Sequence, residues 1–496
     1  MAEQNSEQES MIGRKLELQH ETYVVESLLG KGGMGTVYSG KQLSTDRSIA
    51  IKCIEGTTVA GYDEKRNDRF TDEIKNMINA RRPRCPNIVK IYDAGKDENN
   101  AWMAMEKVEG VDLEEVATFL GGMLDLKEIY TIFKQVSNAI DNGHANGIVH
   151  RDLKPSNILV DSIDDIVKLT DFGIAYAQTR GKEKTRHKID TPGTPDWMSK
   201  WQISPPTTVV RRNDPNLTKK EDEWTYVRRG KIQKVIIVDD QDGKTQLQIR
   251  DVLPEIDLTI LTGQLLFYLV KGWSYFAYGD RNPWDLMIRI TKTKGKELDL
   301  KTRKVVCNED RTLKGMKKKT TIQLQHMINK SFEDNIEQTY HTTQEAMRDL
   351  EKAMKLQYGR NYQVDEKECI QRMLWKLDEK VIQRCDSLIR GEITQTLSRY
   401  IKPGNEYTLS YEHRYKLDTL ARDISLVCKK LGNEGKAKRL MHIINLNTEI
   451  LIQNHEQTGQ ASKEETEFYL NVLKRLPTYP VKEHEKKLSE IVEKTR

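Results

Sequence analysis

What this sequence has little of narrows its class before any motif is read. Its 496 residues hold six cysteines, Cys53, Cys85, Cys307, Cys369, Cys385 and Cys428, and none form a C-x-x-C pair. Such scattered thiols exclude a zinc ribbon and a secreted disulfide scaffold, and they suit a reducing compartment. Each is expected to be a small buried apolar residue. Long hydrophobic runs are also missing: the longest, Leu258 to Val270, is interrupted by Gly263 and Gln264. A bilayer span needs about 20 apolar residues, so this run is expected to be a buried helix. Met1 to Ser10 is polar and acidic, without the basic-then-apolar pattern of a signal peptide. Net charge is small: 80 Lys+Arg against 75 Asp+Glu leave +5. That surplus makes no polycation for wholesale nucleic-acid binding. The expectation is a soluble cytoplasmic protein with no membrane and no nucleic-acid partner.

What is present is a chain of ordinary globular balance, 37% hydrophobic and 31% charged, long enough for about three domains. Its chemistry concentrates in His150-Arg151-Asp152-Leu153-Lys154-Pro155-Ser156-Asn157, which runs into apolar Ile158-Leu159-Val160. Phosphoryl transfer needs such a set: a carboxylate for a hydroxyl proton, a cation near the moving phosphate, and an oxygen ligand for magnesium. Upstream, β-forming Tyr23 to Leu29 leads into Gly30-Lys31-Gly32-Gly33-Met34-Gly35-Thr36-Val37-Tyr38. Glycines at 30, 32 and 35 let a backbone approach phosphates closely. Dinucleotide-binding folds share this spacing but follow it with a helix, whereas here a second β-like run, Ile49 to Ile54, follows. A strand–loop–strand hairpin is therefore expected.

Lys52 sits in that second strand, either as an exposed strand lysine or as a partner for phosphate. Glu73 opens the next helical segment and is the favoured ion-pair partner for Lys52, with Asp72 and Glu64 as rivals. Pro86 to Tyr92 reads as a strand leaving a proline-marked turn. Ala101 to Met105 reads as another, ending in a hinge, Glu106 to Gly110. Met105 would back an adenine pocket, with backbone groups of Glu106 and Val108 facing the base. Asp112 would either reach a ribose hydroxyl or cap the helix beginning at Leu113. Ile129 to Asn142 carries a core-facing apolar stripe, and Val167 to Thr170 is a strand ending in Asp171-Phe172-Gly173. Asp171 and Asn157 then supply hard oxygen ligands that can converge on magnesium.

These motifs occur once each, in order and at fitting spacings. The chain resembles the protein kinase superfamily, and Gly-Lys-Gly-Gly-Met-Gly-Thr-Val-Tyr is similar to the eukaryotic-type (Hanks-type) serine/threonine kinases of bacteria. The resemblance is firm from about Leu16 to Thr194 and traceable to about Leu356. It implies an α+β bilobal fold, with a β-rich N-lobe over residues 16–108 and a helical C-lobe over 109–356. A polar tail (1–15) would precede it and an all-α domain (357–496) would follow. ATP and Mg2+ are the implied cofactors, and proteins with Ser/Thr acceptors the implied substrates. Asp152 would be the catalytic base, Lys154 would neutralise the γ-phosphate, and Thr194 would support their loop. Asn157 and Asp171 would hold metal. Leu29, Gly30, Lys31, Gly32, Gly33, Gly35, Val37, Ala50, Lys52, Glu73, Met105, Glu106, Val108 and Asp112 would bind the nucleotide. Arg151 beside the base implies control by activation-loop phosphorylation, with Thr185 and Thr191 as candidate acceptors.

The sequence departs from the family pattern in three places. Ser199-Lys200-Trp201 stands where Ala-Pro-Glu is usual, and Thr339 stands where the arginine that pairs with that glutamate is expected. Losing both partners avoids a stranded charge and implies a rebuilt anchor. An insertion at 204–251 contains a hairpin signal at Asp242-Gly243; it would dock a substrate, replace the anchor, or be a tolerated surface addition. A basic stretch at 291–320, ending in Lys317-Lys318-Lys319, is expected as a solvated loop. Asp257 is the expected buried aspartate of the helix 258–270, although its spacing to Gly263 is one residue longer than usual. Beyond Leu356, amphipathic stripes such as Ile370, Leu374, Leu377 and Val381 imply a helical bundle that binds a partner or regulates. The contrasting reading is a nucleotide-binding scaffold without catalysis.

Overall fold

The computed structural model describes residues 11–32, 35–55, 85–96, 100–120, 124–146, 148–172, 194–203, the strands between 207 and 250, 254–272, 274, 276, 283–298, 300, 315–387, short pieces between 424 and 453, 463–474 and 482–494. The first lobe is a six-stranded antiparallel sheet in the order β1-β2-β3-β4-β6-β5. Its strands are β1 (Lys15–Glu17), β2 (Thr22–Gly32), β3 (Gly35–Gln42), β4 (Arg47–Glu55), β5 (Ile91–Lys96) and β6 (Asn100–Glu106). Strand side chains alternate between faces, and both faces of β4 and β6 are buried. Ile49, Ile51, Cys53, Trp102 and Ala104 build one core, while Ala50, Ala101, Met103 and Met105 build the opposite one. This alternation sets Lys52 on the same face as Ala50, and Ala50 pairs across the ladder with Met105.

One strand begins later than the sequence indicates. Pro86 to Tyr92 reads as a strand, yet β5 starts at Ile91. The reason is that residues 87–89 are committed to the other lobe. Asn87 donates through Nδ2 to Val167 O at 2.9 Å and Gln135 Oε1 at 3.1 Å, and Ile88 forms a parallel bridge with Leu169.

The second lobe opens with β7 (Gly110–Asp112), α1 (Leu113–Leu120) and α2 (Leu126–Ala145). A capping box starts α2: Asp125 Oδ1 accepts from the Lys127 and Glu128 amides, and Glu128 returns a bond to the Asp125 amide. Its apolar stripe, Ile129, Ile132, Phe133, Val136 and Ile140, is buried. Strands β8 (Ile158–Asp161) and β9 (Ile166–Leu169) form a hairpin beside β7. After the short helix α3 (Lys200–Ile203) and the insertion comes a continuous buried helix in three pieces: α4 (Glu255–Thr259), a π segment (Ile260–Leu265) and α5 (Leu266–Lys271). A π turn accommodates one extra residue. That accounts for the longer spacing from Asp257 to Gly263, and Asp257 is fully buried as expected.

Helices α6 (Pro283–Lys292), α7 (Lys318–Ser331) and α8 (Thr343–Tyr358) complete the lobe. The basic stretch between α6 and α7 is not wholly solvated, because Leu298 and Leu300 reach the core and the Lys271 ammonium donates to Leu300 O at 2.9 Å. In the insertion, β10 (Thr207–Val210), β11 (Leu217–Lys220), β12 (Glu223–Arg228), β13 (Lys231–Asp239) and β14 (Thr245–Arg250) form an antiparallel sheet in the order β10-β14-β13-β12-β11. The hairpin expected around Asp242-Gly243 is the β13–β14 pair.

Helix α9 (Glu366–Ser387) lies beyond the expected boundary at 356 yet packs on α1 and α2. Arg372 Nε donates to Glu128 Oε1 at 3.0 Å, another Arg372 nitrogen reaches Asp125 Oδ2 at 2.7 Å, and Lys376 reaches Glu128 at 2.8 Å. Glu366 accepts from Gln135 Nε2 at 2.9 Å and pairs with Lys134. Helices α10 (Lys463–Lys474) and α11 (Lys482–Lys494) follow, the latter not indicated by the sequence stripes. Glu128 is buried, so stripping its cations leaves an uncompensated charge. The double substitution Arg372→Ala, Lys376→Ala is expected to cost on the order of 3 kcal/mol, read as a lower urea midpoint. An unchanged midpoint would show that α9 contributes nothing to the lobe.

Candidate active site

The site is built on the turn between α2 and β8. Asp152 is buried, and four donors converge on its carboxylate. Oδ1 accepts from the Thr194 amide at 2.8 Å and the Thr194 hydroxyl at 3.0 Å. Oδ2 accepts from Asn157 Nδ2 at 3.0 Å and faces the Lys154 ammonium at 2.9 Å. Lys154 also donates to Thr194 Oγ1 at 2.6 Å, so carboxylate, ammonium and threonine form one closed ring of bonds. The expected catalytic trio is thus brought together.

Backbone geometry under this ring is strained and firmly held. Arg151 has φ +65° and Asp171 has φ +62°, a region that costs an ordinary side chain of order 1–3 kcal/mol. Asp257, from α4, holds the strained turn: its Oδ2 accepts from the His150 amide at 2.7 Å and its Oδ1 from the Arg151 amide at 2.9 Å. His144 Nε2 lies 2.9 Å from the same carboxylate. Burial pushes the Asp257 carboxyl up, but the hydrogen bond and charge of His144 and the Arg151 amide outweigh it and hold the group below its usual value. On the other side, Gln202 Nε2 donates to Arg151 O at 2.8 Å. His150 donates from Nε2 to Thr170 O at 2.8 Å, which leaves Nδ1 to accept from the Asp152 amide at 3.2 Å. Phe172 meets the His150 ring edge-on at 4.8 Å and fills the space over Gly143.

The metal-ligand expectation fits the donor chemistry present. Asn157 uses its amide nitrogen on Asp152 Oδ2 and on Asp152 O at 2.8 Å, which leaves its carbonyl oxygen for a hard cation. The Thr170 amide donates to Asn157 O at 3.0 Å, tying the residue before Asp171 to this same turn. Asp171 Oδ2 is 2.6 Å from the buried Lys52 ammonium. The group of carboxylates that does cluster among the described residues, Glu106, Asp161 and Asp164, lies elsewhere and surrounds a lysine. Lys168 donates to them at 2.7, 2.7 and 3.0 Å and thereby links the hinge to the β8–β9 hairpin. Burial lowers the Lys168 pKa, but these three bonds overturn that and raise it above the ordinary lysine value.

The expected nucleotide face is also assembled. Val37, Ala50, Met105 and Val108 belong to one apolar cluster, which Leu159 joins. Leu159 was not among the sequence candidates; its signal is its place two residues after Asn157, in register with Asp112. Leu29 is 41% exposed on β2, and β2 and β3 pair through Lys31 and Thr36. At Gly35, φ is +130° and a Cβ would come within 2.1 Å of Cys53 O, so the protein itself requires glycine there. At Gly30 an added Cβ would meet no atom within 4 Å among the described residues, so their packing does not explain glycine there. Asp112 Oδ1 accepts from the Glu115 amide at 2.8 Å, the helix-capping role anticipated as one of its two readings. Glu106 contributes its side chain to Lys168. Gly33, Glu73, Thr185 and Thr191 lie outside the described residues, as do Glu64, Asp72 and Gly173.

Replacing Asp257 with Asn turns one acceptor of buried N–H groups into a donor. Asp257→Asn is expected to lower the unfolding free energy by on the order of 2–3 kcal/mol at pH 7. Because the folded pKa lies below the unfolded one, the wild type holds this stability above about pH 4 and loses it as acid titrates the folded carboxylate. The gap in urea midpoint between wild type and variant, open at pH 7, should therefore close in acid; a constant gap would mean that the charge is irrelevant.

Residues 23–226 match the family model described as "Protein kinase domain". The serine/threonine-protein kinase PrkC of Bacillus subtilis is 39% identical over 156 residues, 31% of this chain and 23% of that protein. The serine/threonine-protein kinase pkn3 of Myxococcus xanthus is 38% identical over 184 residues, 36% of this chain and 32% of that one. The serine/threonine-protein kinase PknE of Mycobacterium tuberculosis is 34% identical over 196 residues, 40% and 33% of the two chains. The chain thus spans between about a quarter and a third of the length of the curated relatives it matches. The glycine-rich loop, the strand lysine, the His150–Asn157 turn and Asp-Phe-Gly all fall inside the matched region. Residues 23–226 are accordingly similar to the protein kinase domains of the bacterial Hanks-type serine/threonine kinases.

Proposed function

We propose that this chain is a serine/threonine protein kinase that transfers the γ-phosphate of ATP to Ser or Thr hydroxyls of proteins. The observation that carries the reading is the closed ring of Asp152, Lys154, Asn157 and Thr194, joined through Thr170 to Asp171. Asp152 accepts the proton of the attacking hydroxyl as its oxygen bonds to the γ-phosphorus. The bond from that phosphorus to the β-bridging oxygen breaks, and ADP leaves. Lys154, 2.9 Å from the base, lies where it neutralises charge on the transferred group. Lys52 pairs with the ATP phosphates, with Glu73 as its further partner. Val37, Ala50, Met105, Val108 and Leu159 sandwich the base, and Gly30, Gly32 and Gly35 leave room over the phosphates.

Asn157 and Asp171 would hold magnesium, which supplies charge neutralisation on the phosphate oxygens. Arg151 would pair with a phosphate on the activation segment, with Thr185 or Thr191 as acceptor. The second reading, a nucleotide-binding scaffold, rests on the unusual Ser199-Lys200-Trp201 segment. Bonds from Lys200 to the turn after α7 weaken it, because the segment has an anchor of another kind. Among the described residues no helix is long and apolar enough to cross a membrane.

Labelled ATP, magnesium and a generic basic protein acceptor test the enzyme reading. Asp152→Asn is expected to lower phosphate transfer by about 100-fold or more, the usual scale for a general base. Equal incorporation by wild type and variant would end the kinase proposal in favour of the scaffold. Mass spectrometry of the wild type should find phosphate on Thr185 or Thr191; phosphate confined to the residues beyond Ser387 would rule out activation-segment control.

A further inference from the structure

The segment that follows Thr194 has a fastening of its own. Lys200 is buried at the start of α3, and its ammonium donates to Phe332 O at 2.9 Å and to Glu333 O. It lies 3.7 Å from the Asp334 carboxylate and 4.7 Å from the centre of the Trp201 ring. The receiving turn is itself fixed. Ser331 Oγ bonds Thr262 Oγ1 at 2.6 Å, and the Phe332 ring occupies the space beside Gly263, where a Cβ would come within 2.6 Å of it. Thr262 and Gly263 belong to the π segment of the helix that carries Asp257.

The same short helix also reaches toward the reacting centre. Gln202 donates to Arg151 O, Gln264 Nε2 donates to Met198 O at 2.8 Å, and Thr194 is bonded to Asp152 through amide and hydroxyl. The segment is therefore held at Thr194, Met198, Lys200 and Gln202, and of these Lys200 is the one fastened to the 331–334 turn.

Building on the kinase reading, we propose that Lys200 is a positioning residue: a cationic anchor that pins the substrate-presenting segment 194–203 to the turn 331–334 and so holds Thr194 and Lys154 on Asp152. A carboxylate at this position would face the carbonyls of Phe332 and Glu333 and be repelled, so the site selects a cation. Glu333 and Asp334 face the ammonium as opposite charges, and Lys294, which also pairs with Asp334, faces it as a like charge. Burial and then Lys294 bring the Lys200 pKa down to about 8, against the pull of Glu333. The charged form therefore prevails at neutral pH, and it weakens its grip on Asp334 and the carbonyls when it titrates.

Stability and activity should respond to that titration with opposite signs. Between about pH 8 and the ordinary lysine range the unfolded chain binds more protons at this site than the folded one. This group's contribution to stability consequently grows as pH rises. Anchoring of the segment, and with it turnover, should fall over the same interval.

The experiment uses full-length Lys200→Met, Lys200→Arg and Asp334→Asn beside wild type and Asp152→Asn. Hydrogen exchange and phosphate transfer are followed together. In Lys200→Met, amides of 194–203 should exchange faster while those of α2 keep their protection. The kcat should fall about tenfold with KM for ATP unchanged, the scale of losing one charge-assisted hydrogen bond. Lys200→Arg should restore protection and abolish the fall in kcat above pH 8, with Asp334→Asn intermediate. Should the arginine not fold, Asp334→Asn alone must show a partial loss of protection. Unaltered exchange in 194–203, or loss of protection throughout the lobe, overturns the anchor proposal. If wild type transfers no more phosphate than Asp152→Asn, the kinase reading fails by itself, while exchange still decides the anchor.

Discussion

The buried carboxylate of Asp257 is the contact on which the rest of this protein's site depends. A charge removed from water survives only if donors surround it, and here His144 and two backbone amides of the turn before Asp152 do so. Those amides belong to His150 and Arg151, and Arg151 sits in a backbone region that an isolated chain avoids. The carboxylate thus stabilises a strained turn, and that turn aims Asp152. The same helix, two turns on, fixes Met198 through Gln264 and the 331–334 turn through Thr262 and Gly263. One buried element therefore supports the turn that carries Asp152, the 194–203 segment beside it, and the 331–334 turn that receives Lys200.

Polar groups in the second lobe repeat this logic. Glu128 caps its own helix and accepts two cations from α9. Gln135 on the next turns accepts from the Val167 amide at 2.7 Å and donates to Glu366. Helix α9 is linked in this way, through one glutamine, to strand β9, which ends two residues before Asp171. Lys168 performs the matching task at the hinge, where one ammonium satisfies three carboxylates. Each such group is costly alone and specific when paired, so the pairs dictate a single arrangement of the lobes.

Much of this was legible in the sequence because it is local. Strand composition placed Lys52 in β4 with both readings of its side chain open, and the 3.6-residue period of the apolar stripe predicted α2. The misreadings have a common cause. Pro86 to Tyr92 has strand composition, but Asn87 and Ile88 answer to partners near 135 and 167, which no local pattern reveals. The basic stretch near 300 looks solvated, yet Leu298 and Leu300 find a core supplied by other helices. Leu159 has the composition of any strand residue, and only its neighbours from the first lobe make it part of the apolar face of Ala50 and Met105.

The sequence by itself determined the chemical inventory: a glycine-rich hairpin, a strand lysine, a carboxylate with its lysine and asparagine, and an Asp-Phe-Gly, in fixed order. Order and spacing suffice for these, because each motif's geometry is set by residues close to it. Tertiary structure alone decided how they are held. That Asp257 is reached through a π turn, that α9 closes on α2, and that Lys200 finds two carbonyls more than 130 residues away are long-range facts. They follow from burial, which forces distant polar groups to satisfy one another, and a linear pattern carries no trace of which distant group will be there.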